Sequence, residues 1–122
     1  MRIAIASDDQ EGLKGQMSAH FGRCPFYTVV DVEDGQVLRV EVVENPYYQS
    51  HVPGVVPQFI KSLGAHVIIA GGMGPRAIEM FEQFGIEVVT TGGSAPVDEV
   101  LGAFLEGSLR GARACEEHHR RC

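Results

Sequence analysis

Cys115-Glu116-Glu117-His118-His119-Arg120-Arg121-Cys122, the last eight residues of the chain, hold two of its three cysteines and two of its five histidines. Thiolates and imidazoles are the ligands that iron, copper, zinc and iron–sulfur clusters prefer. A chain end has little core to build, so packing does not account for this concentration, which points to a metal or a metal cluster. Cys115, His118, His119 and Cys122 follow the spacing i, i+3, i+4, i+7 and would share one face of a helix. A straight helix sets i and i+7 about 10 Å apart along its axis. Two ligands of one tetrahedral ion lie only about 3–4 Å from each other, each ~2.3 Å from the centre. The four can therefore serve one ion only if the segment wraps around it, or if other parts of the chain supply some of the ligands.

A second constellation is Ser18-Ala19-His20-Phe21-Gly22-Arg23-Cys24-Pro25. His20 and Cys24 stand four apart, close enough to share a metal in a turn or a helix, and Arg23 is expected to lower the Cys24 thiol pKa. The plain alternative is a loop-capping His20 and a Cys24 that acts as a small hydrophobe entering the next strand. A third is Ala70-Gly71-Gly72-Met73-Gly74-Pro75-Arg76-Ala77, with Thr90-Thr91-Gly92-Gly93-Ser94 as a similar loop further on. Such glycine-rich segments offer free backbone N–H groups and the positive end of a helix to an anion. Neither a dinucleotide fingerprint nor a P-loop fits, since no third glycine follows at the required place and Gly-Lys-Ser/Thr is absent. His51, in a loop before Pro53-Gly54, is within reach of the same pocket, and Tyr47-Tyr48 could cover a bound face. His66 opens an apolar stretch and reads as a core-edge histidine.

The elements that must position these residues follow from hydrophobic periodicity. Arg2 to Ala6 is an apolar strand that stops at Ser7-Asp8-Asp9. Phe26–Val32 and Val37–Glu44 form a hairpin about the Asp34-Gly35 turn signal, the second of them half-buried. Val55, Val56, Phe59, Ile60 and Leu63 lie on one helical face that ends at Gly64. Val67–Ala70 is a fully apolar strand. Pro75 opens a helix with a stripe of Ala77, Ile78, Phe81 and Phe84, stopped by Gly85. Ile86–Thr90 is a strand, and Pro96 opens a last helix buried through Val97, Val100, Leu101, Phe104 and Leu105, with Asp98 and Glu99 suited to its dipole. The order β-β-β-α-β-α-β-α implies an α/β domain with one five-stranded mixed sheet, an antiparallel hairpin and flanking helices. In an open α/β sheet, loops at the carboxyl ends of the strands line the ligand crevice. The domain is expected over residues 1–109, with a flexible Cys/His-rich tail over 110–122.

Length and charge bound the rest. The chain has 122 residues, the size of a single domain. Its 10 Lys and Arg against 16 Asp and Glu give a net charge of -6, which argues against a nucleic-acid footprint. The start is too short and too quickly polar for a signal peptide, and no apolar run approaches a membrane span. A cytoplasmic, non-membrane protein with reduced thiols is the expectation, and three cysteines exclude a complete disulfide framework.

Together, Ile3-Ala4-Ile5-Ala6-Ser7, Ser18-Ala19-His20-Phe21-Gly22-Arg23 with Cys24, and Val67-Ile68-Ile69-Ala70-Gly71-Gly72-Met73-Gly74-Pro75-Arg76-Ala77 make the chain resemble the dinitrogenase iron–molybdenum cofactor biosynthesis accessory family. Its members are small cofactor carriers, and a related domain ends the radical enzyme that builds the cofactor precursor. The resemblance spans nearly the whole chain and implies a ribonuclease H-like fold. It implies binding, storage or transfer of an iron–sulfur-type or molybdenum-containing cluster without turnover, as a nitrogen fixation accessory working with cluster donor and acceptor proteins. Stand-alone relatives also occur where no nitrogenase is made, one of them holding a molybdenum–copper sulfide cluster. On this reading the metal ligands are His20 and Cys24, with Cys115, His118, His119 and Cys122 from the tail. Arg23, His51, Gly71, Gly72, Met73 and Gly74 complete the cofactor-binding site.

Three rival readings compete with this one, and two of them stay open to test. A two-metal nuclease needs several carboxylates converging on magnesium; the strand ending in Ala70-Gly71-Gly72 supplies none, and this reading is rejected. A small thiol enzyme would pair Cys24 as nucleophile with His20 as base. A scaffold or regulator would use the tail to bind zinc.

Overall fold

Four consecutive apolar residues have no polar face to offer water, so the first strand must lie inside the sheet. The computed structural model describes residues 1–50 and 52–112. In it, β1 (Arg2–Ser7) is the central strand, with Ile3, Ala4, Ile5 and Ala6 fully buried. On one side β1 pairs antiparallel with β3 (Phe26–Glu33), from Arg2 opposite Asp31 to Ser7 opposite Phe26. On the other it pairs in parallel with β5 (Val67–Ala70). β4 (Gln36–Glu44) lies outside β3 and β6 (Glu87–Thr90) outside β5, so the main sheet runs β4-β3-β1-β5-β6 with β3 opposed to the other four. The turn between β3 and β4 places Asp34 and Gly35 at φ 53° and 77°. Both values are left-handed, the geometry that matches the twist of a tight hairpin and that Asp-Gly supplies at low cost.

The period of two along each inner strand builds two cores. Ala4, Ala6, Ile68 and Ala70 face a layer packed by α1 (Val55–Ser62) and α2 (Pro75–Phe84). Ile3, Ile5, Val67 and Ile69 face the other way, onto α3 (Val97–Leu105). Three alanines and Ile68 toward two helices, and β-branched residues alone toward one, give a three-layer α/β/α arrangement, each buried Ile or Val contributing about 1.5–3 kcal/mol. α2 begins at Pro75 and ends against Gly85 in the left-handed region, as the sequence predicts.

Some of the structure departs from the sequence expectation. Gln16–Met17 (β2) and Ala95–Pro96 (β7) pair with each other, and Met17 also pairs with Ser7 of β1. Gly12–Lys14 forms a 3-10 turn. These pieces are too short to carry a period, and their conformation is set by long-range pairing. β4 is an exposed edge rather than a half-buried strand, because among the described residues none of the three α-helices is laid along it and only the 3-10 turn at Gly12 approaches Val40 and Val42. After α3 the chain stays tied to the sheet as far as Gly111, whose carbonyl accepts the Thr90 N–H at 3.0 Å.

Among the described residues no helix is long and apolar enough to cross a membrane.

Candidate functional site

The loops that leave β2, β5 and β6 meet beside the carboxyl end of β1, where main-chain hydrogen bonds tie them together. The Ser18 N–H donates to Ala6 O at 2.8 Å, and the Gly71 N–H donates to Ser18 O at 3.0 Å. The Phe21 N–H reaches Gly72 O at 2.9 Å, and the Gly92 N–H reaches Gly71 O at 2.8 Å. Gly71 is the keystone. A Cβ there would stand 2.6 Å from Ala19 Cα, 2.8 Å from Ala19 O and 2.9 Å from Gly93 O, all main-chain atoms. Only hydrogen fits. The glycine-rich stretch is thus a steric requirement for bringing the His20 loop, the Gly71–Gly74 loop and the Thr91–Ser94 loop into one place.

His20 sits in this junction. The Ser18 hydroxyl accepts the His20 N–H at 3.2 Å and donates to the His20 carbonyl at 3.0 Å, which fixes the backbone that carries the imidazole. The ring is half-buried, and its Nδ1 is enclosed with no hydrogen-bond partner in the protein. A buried ring nitrogen without a partner is costly unless something else satisfies it. Beside it, α2 starts at Gly74 with no side-chain cap and no acidic residue in its first turn, so its N-terminal amides keep their partial positive charge. Arg23 and Arg76 are both exposed, and each adjoins one of the loops.

The two sulfur-bearing candidates in the described region lie elsewhere. Cys24 and Met73 are each 0% exposed, packed with Phe21, Tyr27, Ile60 and Phe81 in the core under α1 and α2. Burial pushes the Cys24 thiol up from 9.0 to about 11, opposite to the direction expected from Arg23, whose side chain points to solvent. Desolvation of a thiolate outweighs a charge that water screens. Cys24 therefore takes the plain alternative, a small hydrophobe at the start of β3, and Met73 is a core filler rather than a pocket residue. The Tyr27 phenol is raised by the same burial and then by Cys24 beside it.

Asn45 was not legible as a site residue. Its buried amide donates to Cys24 O at 2.9 Å and Gly22 O at 3.3 Å, while its own N–H donates to Pro25 O at 2.9 Å. It thereby holds the segment that presents Arg23. Its Oδ1 accepts the Tyr47 N–H at 3.0 Å, a local turn of the kind asparagine favours and the only signal the sequence held. Next to it, Arg23, Tyr48, Gln49 and Ser50 line a cleft of about 380 Å³.

His51, Cys115, His118, His119 and Cys122 lie outside the described residues. Among the described residues, no three His, Cys, Asp or Glu side chains converge on an ion site. His66 is a structural residue: its Nδ1 accepts the Arg2 N–H at 2.9 Å.

The comparisons with known proteins bear on this pocket. An uncharacterized protein of Methanocaldococcus jannaschii, MJ0580, is 33% identical over 111 residues, 89% of each chain. The crystal structure of PH0822 superposes with a TM-score of 0.79 at 42% identity, covering 90% of this chain and 94% of the other. The apo form of the orange protein from Desulfovibrio gigas superposes with a TM-score of 0.82 at 29% identity, covering 95% and 96%. The family model described as dinitrogenase iron-molybdenum cofactor matches residues 1–107, which takes in all three loops, and the chain belongs to that family.

Proposed function

We propose that this chain binds an anionic metallocluster, of iron–sulfur or molybdenum-containing type, as cargo to be stored or passed between cofactor-assembly proteins, without turning it over. The observation that carries the reading is the enclosed, partnerless Nδ1 of His20 at the junction of three loops. The uncapped N-terminus of α2 follows the Gly71–Gly74 loop of that junction, and the exposed cations Arg23 and Arg76 adjoin the loops in sequence. This is a donor-rich cradle for an anion. A molybdenum-containing sulfide cluster brings its own ligands and is held by an imidazole, hydrogen bonds and charge compensation rather than by the set of thiolates that an ordinary iron–sulfur cluster takes. Membership of the dinitrogenase iron-molybdenum cofactor family supports the class of cargo.

Two further assignments belong to this proposal. The sheet order β4-β3-β1-β5-β6 with β3 reversed supports a ribonuclease H-like fold. The burial of Cys24 supports a carrier over a thiol enzyme, since a nucleophile must reach its substrate.

Anaerobic reconstitution with iron and sulfide, with and without molybdate, tests the reading. A visible chromophore at a fixed metal-to-protein ratio, weakened in His20→Ala, is the expected result. Binding of zinc alone, lost when residues 115–122 are removed, would replace it with the zinc-scaffold reading.

A further inference from the structure

The two edges of the main sheet are treated differently. At β6, the segment after α3 covers the rim: Gly111 O accepts the Thr90 N–H, and Arg110 Nη1 lies 3.4 Å from Glu87 Oε2. At β4, no strand or helix among the described residues lies alongside the outer rim. β4 nevertheless has nine residues and carries Val37, Leu38 and Val40 at 41%, 64% and 38% exposure, with no proline and no lysine. A long edge strand that exposes apolar side chains between its charges is open to pairing with another strand.

We infer that β4 is the interface of a symmetric homodimer, in which β4 of a second copy adds antiparallel about a two-fold axis at Val40. The charges choose both the occupant and the register. In a two-fold antiparallel pair one residue must face its own copy. Centring on Arg39 sets Arg39 against Arg39, and centring on Glu41 sets Glu41 against Glu41, so both are repulsive. Centring on Leu38 or Val42 leaves the charges facing uncharged residues. Centring on Val40 places Arg39 opposite Glu41 of the second copy and Glu41 opposite its Arg39, giving two matched pairs, with Leu38 and Val42 opposite each other at the flanks. Arg39 and Glu41 already share one face of the strand, 3.7 Å apart and both more than half exposed, so they are free to exchange partners. Leu38 is the extra residue of a bulge, between Arg39 opposite Asp31 and Val37 opposite Val32. Regular pairing therefore runs from Arg39 to Glu41 in each copy, with Leu38 and Val42 at its margins, which makes the interface small. The two Glu44 residues, where the chain turns toward the Arg23–Ser50 cleft, fall about 27 Å apart along the paired strands. Each copy keeps its own pocket open, and the two face opposite ends of the dimer.

Charge exchange tests this independently of any cargo. Sedimentation velocity of the full chain, from roughly 1 µM to 1 mM, should show a concentration-dependent dimer. Arg39→Glu and Glu41→Arg should each raise the dimer Kd roughly tenfold or more, since each sets like charges opposite. Mixing the two variants in equal amounts should restore the dimer, because the strand with two acids then meets the strand with two arginines at both positions. Restoration also shows that both variants fold. The double variant Arg39→Glu, Glu41→Arg should dimerise on its own. A wild type that stays monomeric across the range, or single variants that dimerise as well as wild type, would overturn the inference.

Discussion

Gly71 and Ala19 approach so closely that a Cβ on Gly71 would sit 2.6 Å from Ala19 Cα. Because the obstacle is main chain, Gly71→Ala cannot be absorbed by a rotamer change. It should cost about 1–3 kcal/mol, a fall in Tm of several degrees for a chain of this size. Thermal unfolding followed by circular dichroism measures it, and a variant as stable as wild type would show that the loops are not locked as described.

Cys24 should be silent to alkylation in the folded protein. In a Cys115→Ser, Cys122→Ser background, iodoacetamide at mildly alkaline pH should label Cys24 only at the rate of unfolding. Its folded pKa, about 11, lies above the ordinary 9.0. The native state therefore holds its proton where the unfolded chain has released it. The contribution to stability is complete below the unfolded value and is lost as pH rises toward the folded one. Chemical denaturation should show stability falling across that alkaline interval, and Cys24→Ala should flatten the fall.

His20→Ala should lower retention of a reconstituted cluster about tenfold, the loss of one good polar contact, while moving Tm little, since Nδ1 has no protein partner to lose. Cys24→Ala should leave the chromophore's spectrum unchanged. Bound metal after gel filtration distinguishes the two, and a spectrum altered by Cys24→Ala alone would reinstate the thiol as a ligand.

Asn45→Ala removes the donor to Cys24 O and Gly22 O and should cost about 1–3 kcal/mol, because buried carbonyls are left unpaired. Amide exchange should quicken most at Gly22 to Cys24.

The sequence carried the fold well where a period was long enough to count. β1, the hairpin about Asp34-Gly35, and the helices starting at Val55, Pro75 and Val97 all stand where spacing puts them. It could not show β2 and β7, whose two residues each take their geometry from partners far along the chain. It misread the exposure of β4 because alternation tells which residues share a face and not whether anything covers that face. In the site, the glycines were legible as a tight loop, although their reason, the contact of Gly71 with Ala19 and Gly93, is a matter of three dimensions. For Cys24 the spacing left a metal ligand and a small hydrophobe both open, and the depth at which Cys24 and Met73 lie could not be read from residue type. Their neighbours Phe21 and Phe81, which seal them in, come from different elements of the chain.

The interior position of Cys24 and Met73 has a consequence for life with oxygen. Peroxide that reaches the loops meets an imidazole, amides and guanidinium groups, while the sulfurs of Cys24 and Met73 stay closed off in the core. Sulfenate and sulfoxide formation need access to the sulfur atom. These two sulfurs are thus shielded from oxidants for as long as the core under α1 and α2 stays closed.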